Sequence, residues 1–248
     1  MLVFLFVCAA ACAVASQEPD LDAQAIVERA DKHFRGETAQ AEMTMTVVRP
    51  EWSREVGLKS WSKGQDYALI LVTAPDRDRG IVFLKRKNEV WNWVPSVEKI
   101  IKLPPSMMMQ SWMGSDFTND DLVRESSFVS DYTHEIEKDS TVDSLECTII
   151  RSIPKPEAAV VWGKLRTWIT KKDYLELRAE FFDEDGKLMN ILEFSQIRKM
   201  GGRTIPTVME MFPAEKEGEK TVIEYHSIEF DKNIPDGFFS EQNMKRVR

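Results

Sequence analysis

The sequence predicts a mainly β protein, a single curled antiparallel sheet with few helices. Three observations carry this. From Thr38 to Phe230 apolar residues recur at every second position, the period of a strand with one dry face. Turn signals interrupt that pattern at Lys63-Gly64, from Pro75 to Gly80, and at Asp185-Gly186, Gly201-Gly202 and Gly218. Ahead of the strands, Asp20–Phe34 keeps a helical period instead.

In chain order, Met1–Ala15 (MLVFLFVCAAACAVA) reads as a signal peptide. It is an apolar run, too short for a membrane span, that closes on an Ala13-Val14-Ala15 cleavage signal. No Lys or Arg precedes the run, which leaves an upstream start open. Cys12 follows three alanines and lacks the leucine usual three positions before a lipidated cysteine. Neither it nor Cys8 is therefore expected to carry a lipid. Residues 16–248 are expected to form one domain, with no low-complexity linker and no internal repeat. Cys147 is then the remaining thiol, read as buried and structural.

The helix is expected to start at Asp20 after Pro19, to align Ile26, Ala30 and Phe34, and to end at Gly36. Ala39, Ala41, Met43, Met45 and Val47 then share one face of a strand. Strands follow at Val56–Trp61, Tyr67–Thr73 and Ile81–Lys85; the run Tyr67–Val72 is apolar on both faces, as expected of a strand covered on one side and lining an interior on the other. After a short helix opened by Thr118 and Asp121, strands resume at Tyr132–Lys138, Leu145–Ile153, Leu165–Thr170, Leu175–Phe182, Leu188–Ile197, Ile205–Phe212 and Val222–Phe230. Along 175–182, Leu175, Leu177, Ala179 and Phe181 are read as one dry face. In the last strand the apolar parity shifts between Tyr225 and Ile228, which predicts a bulge. Phe238-Phe239 is expected to pack on the sheet. About a dozen antiparallel strands must curl into a barrel or wrap a helix to bury such a surface.

Glu89–Glu125 stands apart. Trp91 and Trp93 alternate along a strand, and Val97–Leu103, with Ile101, forms a second apolar run that Pro104-Pro105 ends. Met107, Met108, Met109 and Met113, four of the twelve methionines, follow with Trp112 as far as Gly114. Phe117 lies just beyond. A helix near 105–113 is expected here, either as core or as an adaptable apolar lid.

The net charge of −8 argues against nucleic acid and against a polybasic membrane footprint. His33, His134 and His226 fall in different elements without metal-ligand spacing, so no metal site and no cofactor is expected. No nucleophile elbow, phosphate loop or dinucleotide fingerprint is present. Asp116, Asp120 and Asp121 beside Ser115 could bind a cation or act as acid and base. Their structural reading is a turn after Gly114 and a helix N-terminus.

The run WNWVPSVEKIIKLPPSMMMQSWMGSDFTNDDL resembles the signature block of bacterial outer-membrane lipoprotein-sorting proteins, of the LolA/LolB-like superfamily. The resemblance is dense over Glu89–Glu125, and the order of helix then strands is similar along most of the chain. It implies an unclosed β-barrel with a helical lid over an apolar cavity, ligands that are acyl chains of lipids or lipoproteins, and no catalysis. It implies a periplasmic place in outer-membrane trafficking, beside an inner-membrane export pump or an outer-membrane acceptor. Trp91, Trp93, Ile101, Leu103, Met107, Met108, Met109, Trp112, Met113 and Phe117 are the residues expected to line the cavity or lid. No lid-latching arginine can be placed from the sequence. Two other readings stand beside the carrier: an accessory envelope protein that binds an export pump through an apolar face, and a hydrolase built on the Asp116 cluster.

Overall fold

The computed structural model describes residues 21–248 other than 88, 125–127 and 159. The expected signal peptide, Cys8, Cys12 and a cap at Asp20 lie outside the described residues. Helix α1 (Ala23–Arg35) is capped by Asp22, whose carboxylate accepts from the Ala25 N–H at 2.8 Å, and ends at Gly36 with φ of 69°. Its apolar face, Ala23, Ile26, Val27 and Ala30, packs on Ile150 and Ile169 of the sheet.

Thirteen strands form one antiparallel sheet. They are β1 (Thr38–Arg49), β2 (Trp52–Lys63), β3 (Tyr67–Ala74), β4 (Val82–Arg86), β5 (Glu89–Val94), β6 (Lys99–Lys102) and β7 (Tyr132–Val142). The rest are β8 (Leu145–Pro154), β9 (Lys164–Thr170), β10 (Glu176–Phe182), β11 (Leu188–Met200), β12 (Arg203–Pro213) and β13 (Lys220–Phe230). Their order is β6-β5-β4-β3-β2-β1-β13-β12-β11-β10-β9-β8-β7. The chain thus meanders out to one edge, jumps to the other, and meanders back until β13 pairs with β1. Residues 103–131 carry that jump and include the short helices α2 (Asn119–Arg124) and α3 (Phe128–Asp131).

The inward face of β1 holds Ala41, Met43, Met45 and Val47, all buried, as the alternation predicts. They join Val56, Leu58, Met209, Met211 and Ile223 in the main core. The outer face of β2–β5 is covered too. After β13 the chain folds back through α4 (Glu241–Met244) and sets Phe239, Met244 and Val247 against Trp61, Leu69, Leu84 and Trp91. That second cover explains why β3 is apolar on both faces. The bulge falls at His226: Glu42 pairs Ser227 while Met43 pairs Tyr225.

Two expectations change. Leu177 does not share the dry face of Ala179 and Phe181. A register shift between Glu176 and Arg178 turns it outward, where it packs with Cys147, Ile149 and Trp168. The segment 105–113 is not one helix but two 3-10 turns, Pro105–Met107 and Trp112–Gly114, with Met113 at φ 51°. The segment doubles back instead. Trp112 N–H donates to Phe117 O, Asn119 N–H to Gln110 O and Asp120 N–H to Met108 O, bonds that replace a helical ladder.

Phe239 is fully buried and stacks on Tyr67 at 5.4 Å. Phe239→Ala should cost about 3–5 kcal/mol in denaturant unfolding. A cost below about 1 kcal/mol would mean that the C-terminal cover adds little to the fold.

Candidate functional site

The concave side of the sheet is only partly filled. Beneath α1 lies a cavity of about 270 Å3. Val27, Ala30 and Phe34 roof it, and Met43, Met209 and Ile223 floor it, with Phe181 and Leu192 on one side. The space exists because inward strand positions carry alanine. Ala39 and Ala41 on β1, Ala68 on β3 and Ala179 on β10 all line it. Alanine is depleted from strands because it has little to pack, so these positions leave volume where valine or isoleucine would fill it. An engineered cavity of roughly 150 Å3 with apolar walls stays dry and binds benzene. This one is larger.

Its mouth is charged. A neighbouring depression of about 210 Å3 shares Asp31, Arg35, Gly64 and Gln65 with the cavity and adds Glu28, Lys32 and Glu37. Arg35 pairs with Asp31 at 3.0 Å. Lys85 lines the cavity with its ammonium held at 2.8 Å by Gln65 O. The cavity wall is mostly apolar, with Asp120, Asp121 and Glu176 among the lining residues, behind a rim of both charges.

Of the ten residues singled out in the sequence, Phe117 lines this cavity. The other nine are placed elsewhere. Trp91, with Trp93 against it, belongs to the outer core under the C-terminal cover. Met108, buried, packs with Val90, Leu103 and Val161, tying β5 to the connection between β8 and β9. Trp112 is fully buried against Phe83, ring centroids 5.1 Å apart, and plugs the end of the concavity, with Met113 packed beside it. Met107 is half-buried, while Ile101 and Met109 are exposed. The Met-rich segment therefore stoppers one end and closes the gap between the sheet edges, whereas the cavity walls come from the strands and α1.

Arginines from the first hairpin hold the stopper, a feature with no motif to reveal it. Arg49 makes a two-pronged pair with Asp116, at 2.9 and 3.0 Å, and donates to Gly114 O. Arg54 donates to Met113 O. Thr221 hydroxyl donates to Asp116 at 2.7 Å. Asp116 thus orders the turn, as its structural reading has it. Asp121 forms the capping box with Thr118, each accepting from the other's backbone N–H, and also accepts from Trp162 Nε1 at 2.9 Å. That last bond crosses the gap between the sheet edges. Desolvation pushes the Asp121 pKa up, against the Thr118 and Trp162 hydrogen bonds that pull it down. Burial and the nearby Asp120 and Asp121 charges raise the Tyr132 phenol. His134, edge-on to Phe128 and bonded to Ser152 Oγ at 2.8 Å, is pushed below its ordinary 6.5, chiefly by desolvation.

A family model described only as an uncharacterized protein matches residues 64–246. The chain belongs to that family. No curated protein shows significant sequence similarity to it. Among solved structures it is similar to a DUF1329 family protein from Desulfovibrio piger, with a TM-score of 0.82 and 23% identity, covering 90% of this chain and 97% of that one. A LolA superfamily protein from Nitrosomonas europaea gives a TM-score of 0.78 and 23% identity, over 90% and 99% of the two chains. A domain described as outer-membrane lipoprotein-sorting, from Vibrio parahaemolyticus, gives 0.81 and 21%, over 90% and 98%. The fold is LolA-like: a single antiparallel sheet, unclosed, with few helices. The family member described here shows what closes its gap, a stopper held by Arg49 and bridged by Asp121.

Two outcomes test this geometry. Arg49→Met leaves the Asp116 carboxylate buried without its cation and should cost about 3–5 kcal/mol. Arg79→Met, which breaks the exposed pair with Asp76, should cost less than about 1 kcal/mol. Equal costs would deny Arg49 its holding role. For His134 the lowered pKa fixes the sign. The unfolded imidazole takes up a proton below 6.5, but the folded one does so only at lower pH, so stability is lost as pH falls through that window. Chemical denaturation at pH 7 and 5 should show a steeper loss for wild type than for His134→Gln, and parallel curves would refute the assignment.

Proposed function

We propose that this protein is a periplasmic carrier that holds acyl chains of lipids or lipoproteins in the cavity beneath α1 and serves outer-membrane trafficking without chemistry. The observation that carries the reading is the cavity itself: about 270 Å3, lined mostly by apolar side chains, with charges at the mouth and Asp120 and Asp121 in its wall. Burying hydrocarbon gains about 0.8 kcal/mol per methylene, so ten methylenes supply roughly 8 kcal/mol before ordering costs. That corresponds to about micromolar affinity, weakened further by those costs. Such a ligand can be taken up and given away again. The resemblance of Glu89–Glu125 to the lipoprotein-sorting family supports the same reading, as does the fold shared with the Nitrosomonas and Vibrio proteins. Of the Asp116, Asp120 and Asp121 cluster that a hydrolase would use, Asp116 and Asp121 are bound to Arg49, Thr221, Thr118 and Trp162, and Asp120 is buried in the cavity wall.

One observation favours a second reading alongside the first. Val97, Ile101 and Met109 are 53%, 46% and 57% exposed, on the β6 edge and the segments that flank it. Exposed apolar residues near a sheet edge suit contact with a protein, such as an export pump or an outer-membrane acceptor.

The test is uptake of a fluorescent fatty acid. Wild type should bind saturably, with one chain or a few per protein. Ala179→Phe, which fills the cavity, should weaken binding at least tenfold while the protein stays folded by circular dichroism. Met108→Asp, at the closed gap, should impair both uptake and stability, whereas Met109→Asp, exposed, should leave both near wild type. No saturable binding by wild type, or unchanged binding by Ala179→Phe, would overturn the carrier.

A further inference from the structure

We propose that the cavity selects acyl chains that carry an oxygen function along the chain, a hydroxyl or ester carbonyl, and that Thr167 Oγ recognises it. This rests on the carrier reading and names the ligand class. Thr167 sits in the middle of β9, is 3% exposed and lines the cavity. Its hydroxyl has no hydrogen-bond partner among the described residues. Buried polar side chains are almost always paired, and an unpaired one calls for a specific explanation.

The surroundings narrow the explanation. Leu165 and Ile169 lie two residues to either side on β9 and line the same cavity. Across the ladders, Thr167 stands beside Ile150 of β8 and Ala179 of β10. A stable buried water needs about two to four polar partners, and these neighbours offer no side-chain partner besides Thr167. The hydroxyl is already shut off from solvent, and a purely hydrocarbon ligand would leave it with nothing to bond. An oxygen carried on the ligand supplies the missing partner without opening the cavity. Ala179, the ladder partner of Thr167, carries a single methyl, so rotation of Thr167 about χ1 brings the hydroxyl onto the cavity that both residues line. The other strand hydroxyls show the contrast: Thr221 and Thr207 are equally buried but bonded, to Asp116 and to Gln196 O.

The test is displacement of a fluorescent fatty acid by hexadecanoic acid and by a positional series of its monohydroxy derivatives, with methyl esters of dicarboxylic chains as the ester arm. In wild type at least one oxygenated chain should bind about five- to tenfold more tightly than the parent, the worth of one net hydrogen bond. Thr167→Val, equal in shape, should abolish that preference and bind the parent chain as well or better. Thr167→Ser should restore the preference. Uptake of plain and oxygenated chains alike by wild type, or the same preference in Thr167→Val, overturns this inference and leaves the carrier standing. No uptake of any chain by wild type brings down the carrier reading itself. Because Thr167→Val removes an unpaired polar group, its melting temperature should not fall, and a check of folding separates misfolding from lost selection.

Discussion

The structure depends on one topological constraint. The chain builds its sheet from the middle outward to β6, then must restart at the opposite edge with β7. Whatever joins the two edges has to span the mouth of the curl, and that task falls on residues 103–131. A regular helix would have kept its backbone bonds to itself and left both edges unsupported. The segment doubles back instead and spends its side chains on both sides of the gap. Met108 packs between Val90 and Val161, and Trp162 donates to Asp121. Methionine, unbranched and adaptable, suits a joint between surfaces that belong to different parts of the sheet.

The same constraint divides the concavity. At one end Trp112 and Met113 enter the core, anchored by Arg49 and Arg54 from the β1–β2 hairpin. At the other end α1 forms a roof but does not fill the space under it, because Ala39, Ala41, Ala68 and Ala179 face inward where larger residues would close the gap. Phe117 stands at the boundary between stopper and cavity, a member of the core and of the cavity wall at once. Filling lost in the cavity is made up on the outside, where Phe239, Met244 and Val247 bury a second apolar face of β2–β5. Rigidity at the closed end and emptiness under the helix are thus two results of one arrangement.

Most of the fold was legible in the sequence because its signals are local. Period-two alternation marked the strands, glycine turns marked the hairpins, and the parity change before Ile228 marked the bulge at His226. The Thr118–Asp121 capping box was legible for the same reason. What was not legible depends on distant partners. The Met-rich run carries helical propensity, yet its backbone donors pair with carbonyls across its own hairpin-like turn. Leu177 follows the local alternation, but the ladder to β9 slips beside it. The large space in the structure lies under α1 rather than beside the Met-rich run, for a physical reason as well. Large apolar residues draw the eye, but they fill space, and a cavity is written in the small residues that do not. Inward alanines and a strand threonine gave the only sequence trace of it. Arg49 and Arg54, on ordinary wet-looking strand positions, become anchors only when the segment folds onto them.

The proposed carrier keeps the space under α1 open for a hydrocarbon chain. Native mass spectrometry of protein purified without detergent, followed by analysis of its organic extract, tests this most directly. The expected result is a protein peak shifted by the mass of an acyl lipid, with the same lipid recovered in the extract and lost from Ala179→Phe. A wild-type protein of bare polypeptide mass that also fails to take up added lipid would contradict it.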